Sequence, residues 1–214
     1  MNETQEKLIT ERGVIILPED MGHEAYELVL ECLLRAEDSW HDTIRLFCRG
    51  DGGCARSALA IVDLVREHGN VAGMLAGEAH SSHAIIWAGC PQRYVYPMGA
   101  IGLHRVAVNG LSSRQDAVSL KAFAEEYAAT DRRMVKVLNE ACPFHGPFWI
   151  NLLEETGSGG VKMFSAADLI SMEMAKPVSE YKSRLIESTL SQATPAKEAD
   201  EAGLAPTEAS EGDA

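Results

Sequence analysis

Residues 71–89 read VAGMLAGEAHSSHAIIWAG, and this stretch decides the architecture. Val71 to Ala76 is an unbroken apolar run of strand length, which predicts a buried strand. The polar, glycine-bearing residues from Gly77 onward predict a turn, and the run through Ala84, Ile85, Ile86 and Trp87 predicts an apolar helix after it. A buried strand that turns straight into an apolar helix points to an α/β fold with largely parallel strands, because parallel neighbours need crossover helices between them.

Upstream, the same alternation holds. Gly13 to Leu17 (GVIIL) predicts a short strand stopped by Pro18. Glu24 to Glu37 places Ala25, Val29, Cys32, Leu33 and Ala36 at helical spacing and predicts an amphipathic helix. Thr43 to Cys48 (TIRLFC) predicts a second strand running into RGDGG, a glycine-rich turn, with a helix from Cys54 to about His68.

Downstream, two apolar runs, Tyr94–Tyr96 and Ala100–Leu103, flank Pro97 and Gly99. Ser113 to Ala141 then predicts one long helix with Leu120, Phe123, Ala124, Tyr127, Met134, Val135 and Leu138 on one side. At close to 30 residues it is long for a compact domain, so part of it is expected to project or to pack on another subunit. Pro143, Gly146 and Pro147 end it. Ser165-Ala-Ala-Asp168 has the form of a capping box opening a further helix.

The chain has 214 residues and a formal charge of −13, from 19 basic against 32 acidic side chains. Nucleic-acid affinity rests on Lys and Arg neutralising phosphates, so this sign argues against nucleic acid and against an anionic membrane surface as partners. No window is apolar for long enough to span a bilayer, and the first twenty residues lack the form of a signal peptide. Cys32, Cys48, Cys54, Cys90 and Cys142 are odd in number and form no CxxC pair, which suits free thiols and a cytoplasmic location. From Glu187 onward the composition turns to Ala, Glu, Ser, Thr, Pro and Gly with seven acidic residues and one lysine. The expected organisation is therefore one folded domain over 1–186 and an acidic tail over 187–214 that cannot bury enough surface to order itself.

Three features share one chemistry. Gly52-Gly53 follows a strand, Ser81 and Ser82 stand at a strand-to-helix turn, and His104 ends a strand. A serine at such a turn exposes its hydroxyl at the sheet edge, where helix N-terminal amides point outward. A second glycine loop beside it adds another amide, and paired amides make an oxyanion hole. A histidine at a neighbouring strand end takes the serine proton, and a carboxylate orients that histidine. Read singly, Ser81 is also a plausible helix N-cap, Gly52-Gly53 a tight turn and His104 a hydrogen-bonded strand-end residue. Ser82 would replace Ser81 as nucleophile if the turn slipped by one residue. His80 and His83, at i and i+3, would share a helix face, but no further ligands stand at characteristic spacing, so no metal and no other cofactor is expected.

From Leu8 to about Val178 the chain resembles the proteolytic subunit of the Clp protease. The resemblance rests on LITERGVIIL, ECLLRAEDSWHDTIRLFCRGDGG, IVDLV, GEAHSSHA, AGCPQRYVYPMGAIGLH and KMFSAADLI, in that order. It implies an α/β fold of the Clp and crotonase kind, a spiral of β-β-α units with a projecting helical handle. It also implies a serine endopeptidase with Ser81 as nucleophile, His104 as base, Gly53 and Ser82 as oxyanion-hole donors, and Glu155 as the triad acid. The implied partners are a polypeptide substrate, further copies of the chain in a homo-oligomeric ring, and an AAA+ unfoldase. The chain differs from the family at Asp51 and Val106, where the family has prolines, at His80 and His83 around the nucleophile, and at Glu155, where the family has aspartate. Two alternatives follow from those differences and from the shared fold: a catalytically weak ring component, and a crotonase-type acyl-CoA enzyme that needs neither Ser81 nor His104.

Overall fold

The computed structural model describes residues 1–37, 41–106, 116–142, 147–157 and 159–181. The chain divides into two compact units, Met1–Val178 and Ser179–Ala214. Everything below belongs to the first. The acidic tail expected from Glu187 lies outside the described residues.

The first unit opens with a helix, α1 (Glu3–Arg12), that the charged opening residues did not suggest. The Asn2 side chain caps it by accepting from Gln5 N, and Gly13 closes it in the left-handed region at φ 59°. Its Gln5 side chain is buried, donating to Val14 O at 3.0 Å and accepting from Ile16 N at 3.3 Å. The helix thus covers the edge of β1 (Val14–Ile16) with one amide side chain and buries only one apolar residue, Ile9, too few for an apolar stripe.

There follow β2 (Asp20–Met21), α2 (His23–Glu37), β3 (Ile44–Gly50), β4 (Gly52–Gly53), α3 (Ala55–His68) and β5 (Val71–His80). The five residues expected to form the apolar face of α2 are its five buried residues. The expected RGDGG turn is only partly a turn. Its glycines form β4, which pairs in parallel with β2 through Asp20↔Gly52 and Met21↔Gly53. Likewise β5 runs four residues beyond the expected strand end. Glu78 and His80 are polar because they lie outside the apolar core, yet their backbone pairs with Ala100 and Gly102 of a later strand. Backbone pairing does not depend on side-chain polarity, so a pattern of apolar residues stops short of the true strand end.

After α4 (Ser82–Gly89) come β6 (Gln92–Val95), β7 (Ala100–Leu103), α5 (Ala117–Ala141), α6 (Phe148–Thr156), β8 (Lys162–Ser165), α7 (Ala166–Ser171) and β9 (Lys176–Pro177). The main sheet runs β1-β3-β5-β6-β9, and β7 bridges β5 to β8. All its pairings are parallel except β7 with β8. The long strand β5 changes neighbour along its length: Ala72–Leu75 pair with β6 and Glu78–His80 with β7. The helix that follows it, α4, is buried along its entire length and packs among α3, α5, β3 and β5. A helix apolar on all sides is stable only in such a position.

The capping box at Ser165 and Asp168 is present in both directions. All five cysteines are free thiols. Burial, together with its neighbour Cys90, pushes the Cys48 thiol well above its ordinary range. Two halves of α5 differ. Asp131, Met134, Val137, Leu138 and Ala141 are buried, whereas Ala117–Thr130 contains no buried residue. This is the part of the long helix expected to project or to pack on another subunit, and its Glu126 pairs with Arg56 of α3; residues 113–115 lie outside the described residues. Among the described residues no helix is long and apolar enough to cross a membrane.

Candidate active site

The nucleophile candidate stands where β5 becomes α4. Ser81 has φ 51° and ψ −118°, in the left-handed half of backbone space that non-glycine residues rarely occupy. Three contacts hold it there. Its N–H donates to Gly102 O of β7 at 2.8 Å, and its C=O accepts from Ile85 N at 3.1 Å. Its side chain lies against Gly52, where an added Cβ would come within 2.6 Å of Ser81 Cβ and 3.2 Å of Oγ. Gly52 is therefore required twice, for its own φ of 109° and for the room its missing side chain leaves.

Ser82 begins α4 and is buried. Its hydroxyl donates to Gly53 O at 3.0 Å, tying the helix start to β4. Its backbone N–H belongs to the first helical turn, which has no intrahelical acceptor. Gly53, at φ 139°, packs so tightly on Met21 that a Cβ would meet Met21 O at 2.6 Å. The two expected oxyanion donors, Gly53 and Ser82, are thus joined by a hydrogen bond on either side of Ser81. Ser81 rather than Ser82 takes the strained position, while Ser82 turns its hydroxyl into the protein.

His80 and His83 do not share a helix face. His80 ends β5, and its Nε2 lies 3.1 Å from Glu78 Oε2, two residues back on the same strand face. His83 is fully buried in the first turn of α4, with Nε2 donating to Pro18 O at 2.9 Å and its ring against Gly50. Burial lowers the His83 pKa below its ordinary value, against the opposing hydrogen bond to Pro18 and the charges of Asp51, Asp20 and Glu19. His83 thus ties the loop before β2 to the turn that carries the glycines. Among the described residues no three His, Cys, Asp or Glu side chains converge as a metal site.

His104 follows directly on β7, whose Gly102 receives the Ser81 amide, so Ser81 and His104 leave the same end of adjacent parallel strands. Its Nδ1 lies 2.6 Å from Arg105 O. Among the described residues no hydrogen bond joins Ser81 to His104. In unliganded serine enzymes that bond is often loose and tightens only with substrate.

Glu155 stands on α6. The buried residues of that helix are Trp149, Leu152 and Leu153. At about 100° per residue Glu155 falls more than a quarter turn off their centre, and it is exposed. Among the described residues it makes no hydrogen bond or ion pair. A different carboxylate approaches the histidine segment. Asp131 of α5 is buried and accepts from Arg105 Nε at 3.1 Å and from Val106 N at 2.9 Å. Sequence reading passed over Asp131, although a signal was there. It stands four residues after Tyr127 and three before Met134, on the stripe expected to be apolar.

A family model described as Clp protease matches residues 1–144. No curated protein matches the chain. Among solved structures, a crystal structure of a peptidase from Plasmodium falciparum superposes with a TM-score of 0.65 at 16% identity, covering 80% of this chain and 97% of its own. At that identity the similarity is one of fold. Together with the parallel sheet and its flanking helices, these findings establish the Clp-like α/β fold.

Proposed function

Because the chain belongs to the Clp protease family, we propose that it is a serine endopeptidase acting on unfolded chains or peptides inside a ring of its own copies. The observation that carries this reading is the strained Ser81, seated on Gly52 at the end of β5, with His104 leaving the adjacent strand at the same end. Ser81 is the N-cap residue of α4 yet its side chain makes no capping hydrogen bond, which leaves the hydroxyl of this strained residue available for chemistry.

In the proposed reaction Ser81 Oγ attacks the peptide carbonyl and its proton passes to His104 Nε2. The amides of Gly53 and Ser82 receive the developing oxyanion. His104 then protonates the leaving amine, and water, deprotonated by the same ring, releases the acyl group from Ser81. Glu155 is the carboxylate assigned by family order. From its exposed place on α6 it serves His104 only in a conformation that brings the two together.

The test is a fluorophosphonate probe, which reacts with an activated serine and not with a packing serine. Ser81 is expected to be labelled and Ser81→Ala to be silent. Labelling that survives in Ser81→Ala and vanishes in Ser82→Ala would move the nucleophile by one residue. Absence of labelling would favour the second reading, a ring component without catalysis, for which the missing Ser81–His104 bond speaks. The ring itself is supported by the unburied half of α5. Light scattering is expected to return a multiple of the chain mass, and a single-chain mass across a wide concentration range would refute it. An AAA+ unfoldase is the partner that such a ring would need for folded substrates.

A further inference from the structure

We propose that Asp131 is the carboxylate that positions His104, acting through the peptide bond between Arg105 and Val106. This rests on the reading of His104 as the general base.

The three groups form one chain of hydrogen bonds. The Arg105–Val106 peptide unit presents its N–H to Asp131 Oδ1 at 2.9 Å and its C=O to His104 Nδ1 at 2.6 Å. A carbonyl only accepts, so Nδ1 carries the proton at that contact and Nε2 keeps the lone pair that the serine proton requires. Donation to an anion draws electron density through the amide onto its oxygen, which makes that oxygen a stronger acceptor. The carboxylate therefore acts on the imidazole across a single peptide, and the ring becomes a better-stabilised cation on accepting the proton. No proton moves along the peptide: it passes from Ser81 Oγ to His104 Nε2 and stays on the ring until the leaving amine takes it.

A purely structural account of Asp131 is weaker. The position lies on the buried stripe of α5, where an apolar side chain would pack without the cost of desolvating a charge. Its cationic partner, Arg105, is 47% exposed in its side chain, so the ion pair alone is screened by water. What makes the carboxylate worth burying is its second bond, to the amide that faces the histidine. Among the described residues, the side chains hydrogen-bonded to that peptide unit are Asp131 on its N–H and His104 on its C=O.

The experiment is nitrogen-15 NMR of the full chain labelled in histidine, which distinguishes protonated from unprotonated ring nitrogens. With the ring neutral, His104 is expected to show a protonated Nδ1 and a bare Nε2, whereas the opposite tautomer overturns the inference without any variant being made. In Asp131→Asn the two tautomers are expected to mix, and the rate of probe labelling to fall about tenfold, with Asp131→Glu recovering part of the rate. Met134→Ala, one turn along the same helix, should lower stability and leave the tautomer alone. Tautomer mixing of equal size in Met134→Ala, or an unchanged tautomer and labelling rate in Asp131→Asn, would reduce Asp131 to a packing role. These outcomes bear only on Asp131, whereas silence of Ser81 toward the probe bears on the peptidase reading itself.

Discussion

The two sides of the proposed site are built in opposite ways. On the side of Ser81, the constraints act mainly on the chain path: Ser81 is held at φ 51° by a β7 carbonyl and a glycine surface, and the Ser82 hydroxyl locks the start of α4 to Gly53 O. On the acid side, the residue expected from chain order is solvent-exposed, and a buried carboxylate from another helix reaches the histidine segment instead. The contrast teaches that a nucleophile turn tolerates little variation, since its geometry is a property of the chain path. A histidine needs only a negative group within reach of its far nitrogen, and several elements can bring one.

The strongest way to sharpen this contrast is Ser81→Ala, which removes the proposed nucleophile and leaves the packing. Peptide hydrolysis is expected to fall by at least about 10⁴-fold with a melting temperature close to that of the parent. Equal loss of fold would mean that Ser81 is structural. Next in size is Gly52→Ala. Its methyl would meet Ser81 Cβ at 2.6 Å from a backbone at φ 109°. The expected cost is about 1–3 kcal/mol of stability and roughly 10²-fold in probe labelling, because the serine must shift. A variant with normal labelling would break the claim that the chain path around Gly52 sets this side.

A smaller effect is expected on the acid side. Glu155→Gln should lower kcat only a few-fold, against the roughly 10⁴-fold that loss of a directly bonded triad acid costs, and Glu154→Gln should do nothing measurable. A large fall confined to Glu155→Gln would return the acid role to α6 and erase the asymmetry.

The smallest effect is one of pH. His83 has a folded-state pKa held below its ordinary 6.5, first by burial, so the native state binds fewer protons than the unfolded chain as the pH drops below that value. Its contribution to stability is complete above about pH 6.5 and is lost as pH falls through the lowered value. Urea midpoints measured from pH 7.5 to 5 should therefore decline less steeply in His83→Gln, whose own stability is lower at every pH. Parallel slopes would show that this buried ring does not link the glycine turn to pH.

Most of the sheet and the strand-to-helix turn at Ser81 are legible in the sequence, for a physical reason. The strands and α2 announce themselves through apolar periodicity, because burial selects side chains one position at a time. Val71–Ala76, the α2 face and the Ser165 capping box needed no knowledge of distant residues. The misses share the opposite property. The extension of β5 through His80 and the pairing of Gly52-Gly53 with β2 are backbone bonds to remote strands, and such bonds leave no trace in side-chain polarity. Helix α1 is hidden because it is anchored by one buried glutamine and a single buried apolar residue, Ile9. His80 and His83 looked like one helix face only until the strand was seen to end between them.

By itself, then, the sequence determined the α/β alternation, the serine at a strand-to-helix junction, the glycine pair before it and the histidine after it, since each is a local pattern of residue types along the chain. The tertiary structure alone decided which of two adjacent serines takes the strained position, which glycine it rests on, and which carboxylate meets the peptide beside His104. Those choices depend on distances between residues far apart in sequence, such as Ser81 and Gly102 or Val106 and Asp131, and such distances exist only once the helices have packed against the sheet.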